Sequence, residues 1–154
     1  MFNVSDELRE SNMKVVRDYV DAMNAWDFDA LRALTDENIV CELPYAPDGF
    51  PDRLDGRDDL LEFQRAVTGF LEAANLSALQ LETYHSDPGQ IVAEYRSETV
   101  LKPMNTPYRN RYFSRFTVRN GKITYLAEFF DPIRLVVAMG GSVDTQQRES
   151  PARS

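Results

Sequence analysis

The hydrophobic period of this chain changes for good near residue 76, and that change limits the folds open to it. Upstream, apolar residues recur at helical spacing; downstream they alternate in short runs rich in β-branched and aromatic residues. Residues 5–25 carry Met13, Val16, Val20 and Met23 on one stripe, widened by Val15 and Tyr19, so the spacing predicts a long amphipathic helix. A short helix follows Asp27, with Phe28, Leu31 and Leu34 three apart. The spacing predicts a third over 57–74, with Leu60, Phe63, Val67, Phe70 and Ala74 on one face.

Between the second and third helices, residues 38–46 read as a first strand, and the Pro-, Gly- and Asp-rich stretch 47–56 reads as a loop. After the third helix come strands at 77–86, 89–102, 106–118 and 122–130, divided by DPG, PMN and RNG turn signals. Residues 133–141 suit a short terminal helix. The expected organisation is one domain over 1–140 with a disordered tail over 141–154. Helices first and antiparallel strands afterwards indicate an α+β fold, a curved sheet wrapped around three helices with room for a pocket.

The net charge of −8 argues against nucleic acid or an anionic membrane as partner. A single cysteine, Cys41, leaves no internal disulfide, and no Cys/His set has zinc spacing, so neither metal nor cofactor is expected. Without a leader-like N-terminus or an apolar run of membrane-spanning length, the expected location is the cytoplasm.

Two strand patterns bear on chemistry. If partners in the hairpin 89–118 sum to 209, Glu98 opposes Arg111 and Glu94 opposes Arg115 on one face. The other face is then aromatic and neutral-polar: Thr99 opposite Asn110, Ser97 opposite Tyr112, Tyr95 opposite Ser114, Ala93 opposite Phe116. Such a face suits a pocket for a small hydrophobic molecule. In ITYLAEFF, residues 123–130, the alternation sets Thr124, Leu126, Glu128 and Phe130 on one side, with Ile123, Tyr125, Ala127 and Phe129 on the other. A carboxylate in so apolar a strand needs a partner or a purpose. One partner open to Glu128 is Arg17; His85, beside SDPG, reads as solvent-exposed, and Asp131 as a strand end or pocket rim.

The stretches VVRDYVDAMNAWDFDALRALTDENIV, ELPYAPDGFPDRLDG, PYRNRYFSRFTVRNGKI and GKITYLAEFFDP resemble the nuclear transport factor 2-like superfamily across residues 10–139. The SnoaL-like subgroup is the most similar, alongside phenazine-biosynthesis A/B proteins and ketosteroid isomerases. The resemblance implies a cystatin-like cone and a homodimer through the outer sheet face, where Phe113 and Val92 lie. It also places Leu126, Glu128 and Phe130 in the cavity. Tyr19 matches the helical tyrosine that the isomerases use as an oxyanion donor, while their general base falls on Leu43 and their second oxyanion acid on Tyr112. Glu128 matches the pocket acid of the phenazine proteins, whose helical histidine falls on Phe63.

Together these readings give Glu128 as acid/base, Tyr19 and Tyr112 as hydrogen-bond donors, and Asn110 as the group orienting a carbonyl. Leu43, Phe63, Val67, Tyr95, Ser97, Ser114, Leu126 and Phe130 would line the pocket, with Glu42 at its mouth or outside. The expected activity is cofactor-independent isomerisation, dehydration or cyclisation of a small hydrophobic carbonyl or polycyclic compound. A protein that binds such a compound unchanged is the alternative. An assembly module, which would have a filled interior, is a third.

Overall fold

The computed structural model describes residues 4–144. Its elements run α1 (Val4–Ala25), α2 (Phe28–Leu34), β1 (Thr35–Glu42), β2 (Arg53–Asp55), α3 (Arg57–Thr68), β3 (Leu76–Tyr84), β4 (Asp87–Leu101), β5 (Thr106–Arg119), β6 (Lys122–Phe130) and α4 (Pro132–Ala138). The strands form one open sheet in the order β2-β1-β6-β5-β4-β3. The α+β class is as expected, but the sheet is mixed: β1 lies parallel to β6, and the other neighbours are antiparallel.

Local chemistry accounts for the boundaries. Asp27 caps α2 by accepting from the Ala30 N–H at 3.0 Å. Asp131 caps α4, accepting from the Ile133 and Arg134 N–H groups, with Pro132 at the first helical position. Asp131 therefore does more than end a strand: it starts the helix that follows. The β5–β6 turn is made by Asn120 (φ 51°) and Gly121 (φ 76°), the pair of left-handed residues that matches the twist of a tight hairpin.

Four expectations need correction. The stretch 47–56 is not all loop, because Arg53–Asp55 pairs with Val40–Glu42 as β2. The third helix stops at Thr68, six residues early; the Gly69 N–H donates to the Ala66 carbonyl and the Phe70 N–H to the Val67 carbonyl, closing it, and Leu71 bridges Leu101. Partners in the β4–β5 hairpin sum to 207, so Ser97 opposes Asn110, Tyr95 opposes Tyr112 and Ala93 opposes Ser114. A slip of two residues preserves the faces and changes every pair. Finally, the β5–β6 register shifts between Thr117 and Val118, which lets Ile123 and Leu126 both reach the core despite strict alternation.

The core fills the side of the sheet that faces the helices. Val16 and Tyr19 of α1, Leu31 of α2 and Leu60 and Leu61 of α3 pack against Ile39, Ile91, Phe116 and Ile123 from the strands. A second cluster joins Leu101 and Tyr108 to Leu135 and Ala138 of α4. No helix among the described residues is long and apolar enough to cross a membrane. Residues 145–154 of the expected tail lie outside the described residues, and 141–144 follow α4 without helix or strand.

Candidate functional site

Between the sheet and α3 the packing leaves a hollow of two lobes. One, of about 130 Å³, is lined by Phe50, Phe70, Tyr108, Phe130 and Leu135. The other, of about 120 Å³, is lined by Tyr19, Trp26, Cys41, Gln64 and Leu126. Leu43, Phe63, Val67, Tyr112 and Glu128 line both. The assembly-module reading, which required a filled interior, does not survive this.

Glu128 is half-buried on β6 and opposes Ser114 of β5. Tyr95 donates its phenolic proton to Glu128 Oε2 at 2.8 Å, and the same hydroxyl lies 2.8 Å from Ser114 Oγ. The other oxygen, Oε1, has no hydrogen-bond partner among the described residues. Arg17 is not its partner: that side chain is half exposed and pairs with Glu10 at 3.6 Å. Burial raises the proton affinity of Glu128, and the Tyr95 bond partly opposes it.

The phenols around this acid stay neutral. Burial, then the charges of Cys41 and Glu128, lifts Tyr19 well above the ordinary phenol range. Burial followed by Glu128 does the same for Tyr95, and burial followed by Tyr108 and Glu128 for Tyr112. They serve as hydrogen-bonding groups, leaving Glu128 as the acid displaced toward neutrality. Cys41 is pushed up to about 12 by burial, then by Glu128 and Glu42, which keeps it an inert thiol.

Stacking explains the hairpin register. The rings of Tyr95 and Tyr112 lie parallel, centroids 5.0 Å apart and planes 12° apart, which a sum of 209 would have separated. The Tyr112 hydroxyl lies 3.0 Å from Ser97 Oγ. Ser97 and Ser114 thus reach the site through tyrosines. Asn110 is committed elsewhere: its amide donates to Tyr108 Oη at 2.7 Å and the Asp131 carbonyl at 3.0 Å, while Oδ1 accepts from the Arg111 and Asp131 N–H groups. It ties the end of β5 to the start of α4 and has no group left to orient a carbonyl, which corrects the expected role.

The remaining positions divide cleanly. Leu43 is buried in the hollow, whereas Glu42 points outward and meets Arg53 at 3.4 Å. Phe63, Val67, Leu126 and Phe130 line one or both lobes. His85 is exposed and offers its carbonyl to Arg9 at 2.8 Å. Among the described residues no group of three or more His, Cys, Asp or Glu could hold a metal ion. Gln64 went unread in the sequence, and it is buried in the second lobe with its Nε2 donating to Tyr19 Oη at 2.7 Å.

A hollow lined by α3 and by one sheet face, with an acid on the last strand, is the arrangement the family resemblance implied, and residues 16–126 match the SnoaL-like domain. The chain belongs to that family. The uncharacterized protein YesE of Bacillus subtilis (strain 168) is 27% identical over 135 residues, which cover 86% of this SnoaL-like chain and 90% of YesE. A phenazine biosynthesis-related protein from Pseudomonas aeruginosa superposes with a TM-score of 0.76 at 22% identity, covering 94% of this chain and 95% of that one. A nuclear transport factor 2-like protein from Burkholderia xenovorans LB400 gives 0.70 at 20% identity, covering 84% and 95%. The SnoaL-like chain thus shares their fold.

The outer face of this SnoaL-like sheet carries a separate concavity of about 380 Å³, bordered by Glu94, Arg96, Arg111, Phe113, Tyr45 and Phe129. The expected charge ladder is partly replaced there. Glu98 pairs with Arg109 at 2.7 Å, while Arg96 opposes Arg111 and Glu94 opposes Phe113.

Proposed function

We propose that this chain is an acid/base enzyme of the isomerase, dehydratase or cyclase type, acting on a small hydrophobic carbonyl compound with Glu128 as the proton carrier. The observation that carries the reading is the asymmetry of one carboxylate: Oε2 is held by Tyr95, and Oε1 has no partner among the described residues, in a hollow lined mainly by apolar side chains. Proton transfer between carbons needs a group that gives and takes a proton near neutral pH. Burial moves Glu128 in that direction.

In this reading the ionised Oε1 takes a proton from the carbon beside the carbonyl, and the electron pair moves onto the oxygen. Tyr19 and Tyr112, kept neutral, supply hydrogen bonds to substrate oxygens. Protonated Glu128 then returns the proton to another carbon, giving an isomer, or to a departing hydroxyl, giving an alkene and water. None of these steps calls on a metal or cofactor.

Size narrows the substrate. Lobes of about 130 and 120 Å³ are small beside the roughly 300–1,000 Å³ of pockets for drug-sized ligands. They favour a single ring or a short branched chain over a polycyclic compound. The test is exchange of the α-hydrogens of cyclohexanone with deuterated water, followed by NMR. Wild type should accelerate exchange, and Glu128→Gln should lose roughly 10²–10⁴-fold of that acceleration. Ketone binding without accelerated exchange would leave a binding protein instead.

The reading includes a homodimer through the outer sheet face, supported by Phe113 at 48% exposure and by the unmatched Arg96–Arg111 pair. Sedimentation at micromolar concentration should give twice the chain mass, and Phe113→Glu should halve it.

A further inference from the structure

Gln64 sits on the wrong face of its helix for an amide. It lies four residues after Leu60 and three before Val67, in the stripe that α3 turns to the hollow, and only 5% of it is exposed. An aliphatic side chain there would extend the stripe and add stability. The amide is also half satisfied: Nε2 donates to Tyr19 Oη at 2.7 Å, but Oε1 is buried with no hydrogen-bond partner among the described residues. A buried acceptor left unpaired is destabilising, which is why nearly all of them are paired in folded proteins.

The bond sets the direction of what remains. Because Tyr19 Oη accepts from Gln64, its own proton points elsewhere, and it has no acceptor among the described residues. Gln64 and Tyr19 both line the second lobe, and together they leave one acceptor, Gln64 Oε1, and one donor, the Tyr19 hydroxyl. A carbonyl or ether oxygen would satisfy the donor and leave the acceptor bare. A hydroxyl satisfies both, since its oxygen accepts from Tyr19 while its proton goes to Gln64.

We infer that this part of the hollow is a hydroxyl-recognition site, and that the ligand is a small hydrophobic compound carrying a hydroxyl group apart from its carbonyl. The hydroxyl lies between Gln64 and Tyr19, and the carbonyl lies along the hollow toward Tyr112 and Glu128, which line both lobes. This deepens the acid/base reading and rests on it for the carbonyl; recognition of the hydroxyl stands on Gln64 and Tyr19 alone. Sites built to hydrogen-bond a hydroxyl discriminate strongly against analogues that lack it, because the analogue leaves the site's own polar groups unpaired.

The test is binding by titration calorimetry of three matched probes, 4-hydroxycyclohexanone, 4-methoxycyclohexanone and cyclohexanone, to the full chain. Wild type should prefer the hydroxy ketone by about tenfold or more over both others. Gln64→Met, close in volume and lacking the amide, should erase that preference while keeping or improving affinity for cyclohexanone. Glu128→Gln should retain the preference, so failure of the acid/base role and failure of hydroxyl recognition give different results. Equal affinities in wild type, no binding of the hydroxy ketone at millimolar concentration, or a preference that persists in Gln64→Met would each overturn the inference. The wild-type comparison stands even if the variant fails to fold.

Discussion

Tyr95 donates its phenolic proton to Glu128 Oε2 at 2.8 Å, joining β4 to β6 across β5. The bond stabilises the ionised carboxylate and so pulls against burial, which favours the protonated form. Tyr95→Phe keeps the ring that stacks on Tyr112 and removes only the donor. The Glu128 pKa should then move further up. Carbon-13 NMR titration of the carboxylate would show it, and the limb of any pH–rate profile that follows ionised Glu128 should shift in the same direction.

Glu128→Gln should stabilise the protein at neutral and alkaline pH. In the folded chain this acid holds its proton more tightly than the ordinary 4.5. Between that value and the raised one, the native state binds more protons than the unfolded state, so wild-type stability falls as pH rises through the window. The deficit is complete above it and absent below pH 4.5. Urea denaturation at pH 8 should find the variant more stable by about 1 kcal/mol, in line with other relieved active-site groups. At pH 4 the two proteins should coincide.

Cys41, 3% exposed on β1, should resist thiol reagents in the folded state. A thiol moved from 9.0 to about 12 has roughly a thousandfold smaller thiolate fraction near pH 8. Reaction with an aromatic disulfide reagent should be slow in buffer and fast in urea. Fast reaction of native protein would mean that the second lobe opens to solvent more readily than its packing indicates.

Much of this architecture was legible because a change of hydrophobic period is a coarse signal that survives local errors. The faces of β4 and β5 were read correctly even with the register two residues out, since a slip by two leaves each side chain on its own side. The cost fell on pair-level claims. A charge ladder suggested the sum of 209, but exposed ion pairs are weak, and the buried stack of Tyr95 on Tyr112 sets the pairing. Gln64 was missed because an amide between Phe63 and Arg65 looks like surface; its spacing from Leu60 and Val67 was the available clue. β2 has three residues in a proline-rich stretch, and the parallel contact of β1 with β6 joins segments more than 80 positions apart, beyond any local pattern.

The approach of Gly89 to β5 yields the last prediction. A β-carbon at Gly89 would fall 2.5 Å from the Val118 carbonyl oxygen and collide with the Arg119 guanidinium. The side chain could swing away, but the carbonyl belongs to a strand and cannot. Gly89→Ala should therefore destabilise the fold by about 1–3 kcal/mol, seen as a lower Tm. Its second effect is electrostatic. Arg119 reaches Asp87 through two hydrogen bonds of 2.7 and 3.0 Å and, with the Gly89 N–H, lowers that carboxyl from 3.8 to about 2. The stabilisation this brings is present above pH 3.8 and lost as pH falls toward 2. Displacing Arg119 should return Asp87 toward its ordinary value and flatten that part of the acid limb. Arg119→Ala should flatten it too, without the steric loss, so comparing the two variants by acid titration separates the clash from the ion pair.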